Sequence, residues 1–206
     1  MTKSTDMKLT GRLLIATPEM GDPRFKSAVI YICSHDSSGA MGIVINKQMV
    51  KAGGALSLSD MLYNIGIEGE VQVADTPVLE GGPVDIDRGF VLHSADYFKT
   101  ETSLKLSNTL SLTSTKDVLE ALVKEDAPER AMLAVGYSGW GAGQIERELQ
   151  DNAWKYIDFP YTVTANTVLQ VDFKSSIEGE IHGIGFDNNN FIGTTFLFKL
   201  HGTQSY

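Results

Sequence analysis

The sequence predicts an α+β fold, and three observations carry that prediction. Strand-like and helix-like segments interleave without the regular strand, helix, strand period of a doubly wound sheet. Residues 28–33 (Ala-Val-Ile-Tyr-Ile-Cys) and 40–46 (Ala-Met-Gly-Ile-Val-Ile-Asn) are β-rich runs joined by a polar segment, which is a hairpin signal. The chain has 206 residues, 42% hydrophobic and 21% charged, the size and composition of one globular domain that buries roughly 70% of its unfolded surface.

The elements follow in order. Residues 13–17 read as a strand ended by Pro18 and the turn Gly21-Asp22-Pro23. Both runs of the hairpin are nearly continuous in apolar residues, so it is expected at the centre of a sheet, covered on both faces. Ser57 or Ser59 caps a short helix through Asn64, with Leu58, Met61, Leu62 and Ile65 on one face and Gly66 at its exit. Residues 71–74 and 77–79 are short extended pieces, Gly81-Gly82-Pro83 is a sharp turn, and 89–93 is a strand. Residues 110–112 form a strand leading to a helix capped by Thr113 or Ser114, whose buried stripe is Val118, Leu119, Leu122 and Val123. Residues 131–135 are again a strand. It feeds a loop in which Gly136, Gly139, Gly141 and Gly143 surround Trp140, followed by a helix over 144–154 with Ile145, Leu149 and Ala153 on its apolar face. Beyond Trp154, residues 161–173 alternate like a strand, 181–186 are short and apolar, 187–190 are a turn, and 191–206 read as an edge strand or tail.

Composition excludes several function classes. The longest apolar runs fall far short of the ~20 residues of a membrane-spanning helix, and the N-terminus lacks the pattern of a signal peptide. A cytoplasmic protein is expected, with no membrane partner. Cys33 is the single cysteine, which rules out an internal disulfide and thiolate-rich zinc sites. Seventeen Lys and Arg against 26 Asp and Glu leave a formal charge of −9, so direct binding to nucleic acid is not expected.

Four segments resemble, in order and spacing, the AlgH/YqgE family of bacterial proteins. They begin Gly11-Arg-Leu-Leu-Ile-Ala-Thr-Pro, Gly39-Ala-Met-Gly-Ile-Val-Ile-Asn, Gly81-Gly-Pro-Val-Asp-Ile-Asp-Arg-Gly-Phe-Val-Leu-His, and Gly136-Tyr-Ser-Gly-Trp-Gly-Ala-Gly. The resemblance is strongest over residues 11–154; the chain lacks a further tryptophan beyond Trp154 that relatives carry. It implies a single α+β domain over residues 1–186, with 187–206 as a tail or edge strand. The implied architecture is a branched mixed β-sheet containing a small closed barrel surrounded by helices. It implies no established enzyme activity, and the family takes its name from a proposed transcriptional regulator.

The candidate ligand or partner surface comprises Gly81, Gly82, Pro83, His93, Tyr137, Trp140, Gly141, Gln144, Glu148 and Asn152. Glycines before a helix could present backbone N–H groups to a phosphate. However, the stretch lacks a Gly-Lys-Ser/Thr ending and the Gly-x-Gly-x-x-Gly spacing, and Glu146 and Glu148 place negative charge at that helix start. His93 could titrate near neutrality. Cys33 and His35, two apart, would share a face of a regular strand, where an imidazole could activate the thiol. The four histidines are scattered, and neither a metal nor a cofactor is expected. Two functional readings follow. The first is a non-enzymatic regulatory or interaction protein with an indirect effect on transcription and an unidentified protein partner. The second is a small-ligand sensor or enzyme with a pocket under the Trp140 loop, where His93, Gln144, Glu148 and Asn152 supply the polar groups.

Overall fold

The computed structural model describes residues 8–158, 182–185 and 197–201. The chain divides into two compact units, residues 1–161 and 162–206. In the first unit β1 (Arg12–Ala16) is followed by a 3-10 turn (Pro23–Phe25) and by the hairpin β2 (Val29–Asp36) and β3 (Gly39–Val44). A small ribbon, β4 (Val50–Lys51) and β5 (Gly54–Ala55), precedes α1 (Leu58–Asn64). Then come β6 (Leu79–Glu80), β7 (Val84–Ser94), β8 (Ser103–Lys105), β9 (Leu110–Thr113) and α2 (Lys116–Ala121). The unit closes with β10 (Ala131–Gly141), α3 (Gln144–Gln150) and β11 (Trp154–Asp158). In the second, β12 (His182–Gly185) and β13 (Leu197–His201) pair antiparallel. The expected strand at 161–173 and the turn at 187–190 lie outside the described residues.

Among the described residues the main sheet has nine strands in the order β11-β1-β2-β3-β10-β7-β9-β8, with β6 attached to β10 off that path. It is mixed, because β6 runs parallel to β10 while the other pairs are antiparallel. The sheet curls as a half-barrel. The expected closed barrel is not seen: among the described residues the pairing path runs from β11 to β8 without joining. Among the described residues the helices are three, of six or seven residues each.

Strand alternation separates the two faces of this sheet. Ile30 and Ile32 of β2 point to a cluster with Leu14, Ile145, Trp140 and Trp154, which α3 covers. Val91 and Leu133 point to a second cluster that α1 and α2 cover through Leu58, Leu62, Val118 and Leu122. On the opposite face Tyr31, Cys33, Ile43, Phe90, Leu92, Leu112 and Ala134 pack inside the curl. The β2–β3 hairpin is therefore buried on both sides, as its continuous apolar runs require. Ser57 caps α1 with a full capping box to Asp60. α2 begins later than expected, at Thr115, which makes no side-chain cap.

The largest correction concerns residues 136–141. They are not a loop but the second half of β10, paired with β3 from Ser138↔Gly42 to Gly141↔Gly39. Gly136 serves a close approach of backbones instead of a turn, since its Cβ would lie 2.4 Å from the Gly82 carbonyl oxygen, and glycines facing β10 do the same. A Cβ on Gly39 would lie 2.1 Å from the Trp140 carbonyl oxygen, and one on Gly81 would lie 2.2 Å from that of Gly136.

Candidate functional site

β10 is the spine that positions nearly every residue singled out in the sequence. At Gly136, with φ of +73°, its pairing with β7 jumps from Val135↔Gly89 to Tyr137↔Val84. The Gly81-Gly82-Pro83 segment crosses β10 at this place. Gly81 N–H donates to the Val135 carbonyl at 2.8 Å, and the Gly81 carbonyl accepts from Val44 N–H at 2.9 Å. That turn is therefore a packed crossing.

Trp140 is buried and turned toward α3, where its indole Nε1–H donates to Glu148 Oε2 at 2.9 Å. Trp154 donates to the same oxygen at 2.8 Å, and Gln144 Nε2 donates to Glu148 Oε1 at 2.8 Å. Gln144 Oε1 in turn accepts from Gly141 N–H at 3.0 Å. The structure thus brings Trp140, Gly141, Gln144 and Glu148 together, as a lock between β10, α3 and β11. Asn152 stands apart, with its Oδ1 accepting from Lys155 at 2.7 Å and its carbonyl accepting from the Thr17 hydroxyl at 2.5 Å.

His93 lies at the far end of β10, opposite Ala131. It does not join the Trp140 group in one pocket. The ring is buried and faces Tyr97 edge-on at 5.4 Å. Its Nδ1 is 3.0 Å from the Ser94 carbonyl, which can only accept, so Nδ1 carries the proton. Its Nε2 meets Thr113 Oγ1 at 2.9 Å, and that oxygen is 2.7 Å from Ser103 Oγ. Burial lowers the imidazole pKa from its usual 6.5, against the opposing hydrogen bond to Ser94 and the charge of Asp96. The unfolded chain then binds a proton more readily than the native one. Stability contributed by His93 is complete above pH 6.5 and is lost as pH falls through the depressed native pKa. His93→Phe is expected to flatten the slope of unfolding free energy with pH below 6.5, checked by urea melts at several pH values.

The expected Cys33–His35 pair is also corrected. A β-bulge between Ile32 and Ser34 shifts the register with β3. Cys33 and Ser34 therefore both turn inside the curl, and His35 turns to the α3 side, where its Nε2–H donates to Glu146 at 2.9 Å and its Nδ1 accepts from Leu9 N–H at 3.3 Å. Burial pushes the Cys33 thiol up to about 12. Iodoacetamide at pH 8 is expected to leave native Cys33 unmodified and to label it only on unfolding, as read by mass spectrometry.

Tyr137 faces the other way from Trp140, inside the curl, with its ring 5.6 Å from Phe90 in an edge contact. There it helps line a concave groove of about 700 Å³. Phe90 and Leu112, both buried, form the floor with Met41, while the exposed Val84 and Leu104 form an apolar rim. Ser34, Asp36, Asp85, Arg88 and Thr102 add polar groups. The Arg88 guanidinium lies over the Phe90 ring at 5.4 Å and donates to Ser114 Oγ at 2.7 Å. Thr102 Oγ1 is buried with no hydrogen-bond partner. Of the residues read from the sequence, Tyr137 lines this groove by its ring and Trp140 borders it, whereas Arg88, Phe90, Leu104 and Asp36 were missed. The one available signal was the alternation Val84-Asp-Ile-Asp-Arg88 ahead of an apolar strand. Among the described residues no three His, Cys, Asp or Glu side chains gather to hold a metal ion, and no helix is long and apolar enough to cross a membrane.

Comparison with known proteins supports the same assignment from several sides. A UPF0301 protein of Ruegeria pomeroyi is 48% identical over 153 residues, 74% of this chain and 80% of the relative. One from a Bradyrhizobium strain is 45% identical over 157 residues, 73% of this chain and 71% of the relative. The solution structure of AlgH from Pseudomonas aeruginosa superposes with a TM-score of 0.60 at 37% identity, covering 77% of this chain and 81% of that one. A Corynebacterium diphtheriae protein, DIP2367, shares the fold at 17% identity with a TM-score of 0.56, over 74% of this chain and 76% of its own. The AlgH-like family model (DUF179) matches residues 13–175, and the chain belongs to that family.

Proposed function

We propose that this AlgH-like protein is a non-enzymatic, cytoplasmic interaction protein of regulatory type, which engages its partner through the groove beside Tyr137. The observation that carries this reading is that, among the described residues, the reactive groups singled out in the sequence are committed elsewhere. His93 and His35 are each held at both ring nitrogens, Glu148 accepts from three donors, and the Cys33 thiol is buried and protonated. The groove instead combines an exposed guanidinium, an aromatic floor and an exposed apolar rim, the mixture that protein contact surfaces favour. A photo-reactive amino acid placed at Leu104 in living cells should give an adduct that is lost in the double variant Tyr137→Ala, Arg88→Ala. The same probe at exposed Arg147 on α3 is the control. Equal adducts from both positions, or an adduct insensitive to the variant, would discard the groove as the working surface.

The groove volume, within the ~300–1,000 Å³ of small-molecule sites, and the unpartnered Thr102 hydroxyl favour a second reading as a ligand sensor. A thermal-unfolding screen against nucleotides, phosphorylated sugars and thiol metabolites distinguishes it, because a ligand at 100 times its Kd stabilises by about 2.7 kcal/mol. Any effect on transcription is indirect in either reading. Tight, salt-sensitive DNA binding by the purified protein would overturn that statement.

A further inference from the structure

β7 is much longer than the strand beside it. β9 pairs with it only from Val91↔Thr113 to Ser94↔Leu110, and at Ser114 the chain leaves the sheet toward α2. On the other flank the pairing with β10 passes directly from Gly89 to Val84. Residues 85–88 thus have no cross-strand partner among the described residues on either side, and Asp85, at φ of +54°, bends the backbone outward ahead of Ile86. The groove borders the lane this leaves, with Val84, Asp85 and Arg88 on one wall and Leu104 and Ser114 on the other, while the exposed Ile86 and Asp87 stand on the same bow outside the groove lining. An open lane of this kind is a template for another strand.

We propose that the lane takes an extended peptide segment of a partner protein as an added strand, with apolar side chains seated on Val84, Ile86 and Leu104 and basic ones facing Asp36, Asp85 and Asp87. This rests on the groove being the working surface and names its occupant. Strand addition draws affinity from main-chain hydrogen bonds and specificity from alternate side chains. Here the alternation is already present, because Ile86 is 64% exposed between two aspartates. Asp36 and Asp85 line the groove and exposed Asp87 stands beside it, against one cation, Arg88, which lies 3.8 Å from Asp85; the lane is left acidic, on a chain of net charge −9. The same charges argue against a second copy of this chain. Antiparallel self-pairing centred on Ile86 sets Asp85 opposite Asp87 twice, and like charges directly opposite are destabilising.

A random peptide library displayed on phage and selected on the full-length protein tests this. Recovered peptides should alternate apolar with Lys or Arg, and a synthetic representative should bind about tenfold or more weakly to Ile86→Asp and to Asp87→Lys by fluorescence polarisation. Methylating its alternate backbone nitrogens on one edge should abolish binding, while methylating the other edge should not. Circular dichroism establishes that both variants are folded. An acidic consensus, binding indifferent to the variants, or tolerance of both methylation patterns overturns the proposal. So does a dimer by sedimentation that Ile86→Asp dissolves and no peptide displaces. If no peptide is enriched while the Leu104 probe still gives its Tyr137-dependent adduct, strand addition falls and the groove reading stands; if both fail, both fall.

Discussion

Gly82→Ala is expected to lose about 2–6 kcal/mol of stability and to unfold at a far lower urea concentration than the wild type. The added Cβ would sit 2.2 Å from the Tyr137 carbonyl carbon, 2.3 Å from its oxygen and 2.5 Å from Ser138 N. All three are backbone atoms of a strand paired on both flanks, so no rotamer change relieves the contact. Gly82 also has φ of +151°, which an L side chain rarely adopts. Overpacking costs about 1–3 kcal/mol or more and a forced backbone conformation about 1–3 kcal/mol further, against a typical total stability of about 5–15 kcal/mol. Gly136→Ala meets the crossing from the other side, 2.4 Å from the Gly82 carbonyl oxygen at φ of +73°, and should behave alike. Gly21→Ala, with nothing within 4 Å, should change stability by less than about 0.5 kcal/mol. Urea unfolding followed by near-UV circular dichroism reads all three. A wild-type midpoint for Gly82→Ala would mean that the crossing is not as tight as the structure has it.

The crossing also shapes the groove. Because residues 81–83 pass over β10 at Gly136, β7 starts on Tyr137 and must bow out before rejoining β10 at Gly89. Asp85, at φ of +54°, marks the bow. A variant that loosened the crossing without unfolding the chain would let residues 84–88 settle onto β10 and narrow the lane.

Much of this architecture was legible from residue patterns. The capped helix at 58–64, the buried hairpin and the strands at 12–16 and 110–113 follow from local rules of capping and alternation. Residues 136–141 were misread for a physical reason. A glycine that permits a turn and a glycine that permits two backbones to touch have the same letter, and only the partner segment tells them apart. That partner, Gly81-Gly82, lies more than fifty residues earlier in the chain. The Cys33–His35 pairing failed because one bulge reverses the face of every later residue. The groove was illegible because its walls come from β2, β3, β7, β8, β9 and β10, and Arg88 gains a role only when β7 outruns β9.

Trp154→Ala is expected to cost about 3–5 kcal/mol, the range for losing a fully buried tryptophan. Trp154 is 1% exposed, packed edge-on to Phe25 at 5.5 Å and to Trp140 at 6.1 Å. More telling is the carboxylate that joins the two indoles. In Glu148→Leu both buried Nε1–H groups lose their acceptor, and a buried donor left unmet costs about 1–3 kcal/mol, so a loss of about 2–6 kcal/mol is expected. Glu148→Gln keeps an oxygen for both indoles and gives up only the bond from Gln144, because its amide nitrogen would face that of Gln144. Gln144 cannot simply turn over, since its oxygen already accepts from Gly141 N–H. The cost should be about 1 kcal/mol, that of one hydrogen bond. Chemical denaturation ranks the three variants, and indole fluorescence reports whether the tryptophans have moved. Equal losses for Gln and Leu would show that the carboxylate holds α3 by its charge and not as an acceptor of indole hydrogens. The expected order instead makes Trp140 an anchor of the sheet on one face of β10, which leaves Tyr137, on the other, fixed in the groove wall.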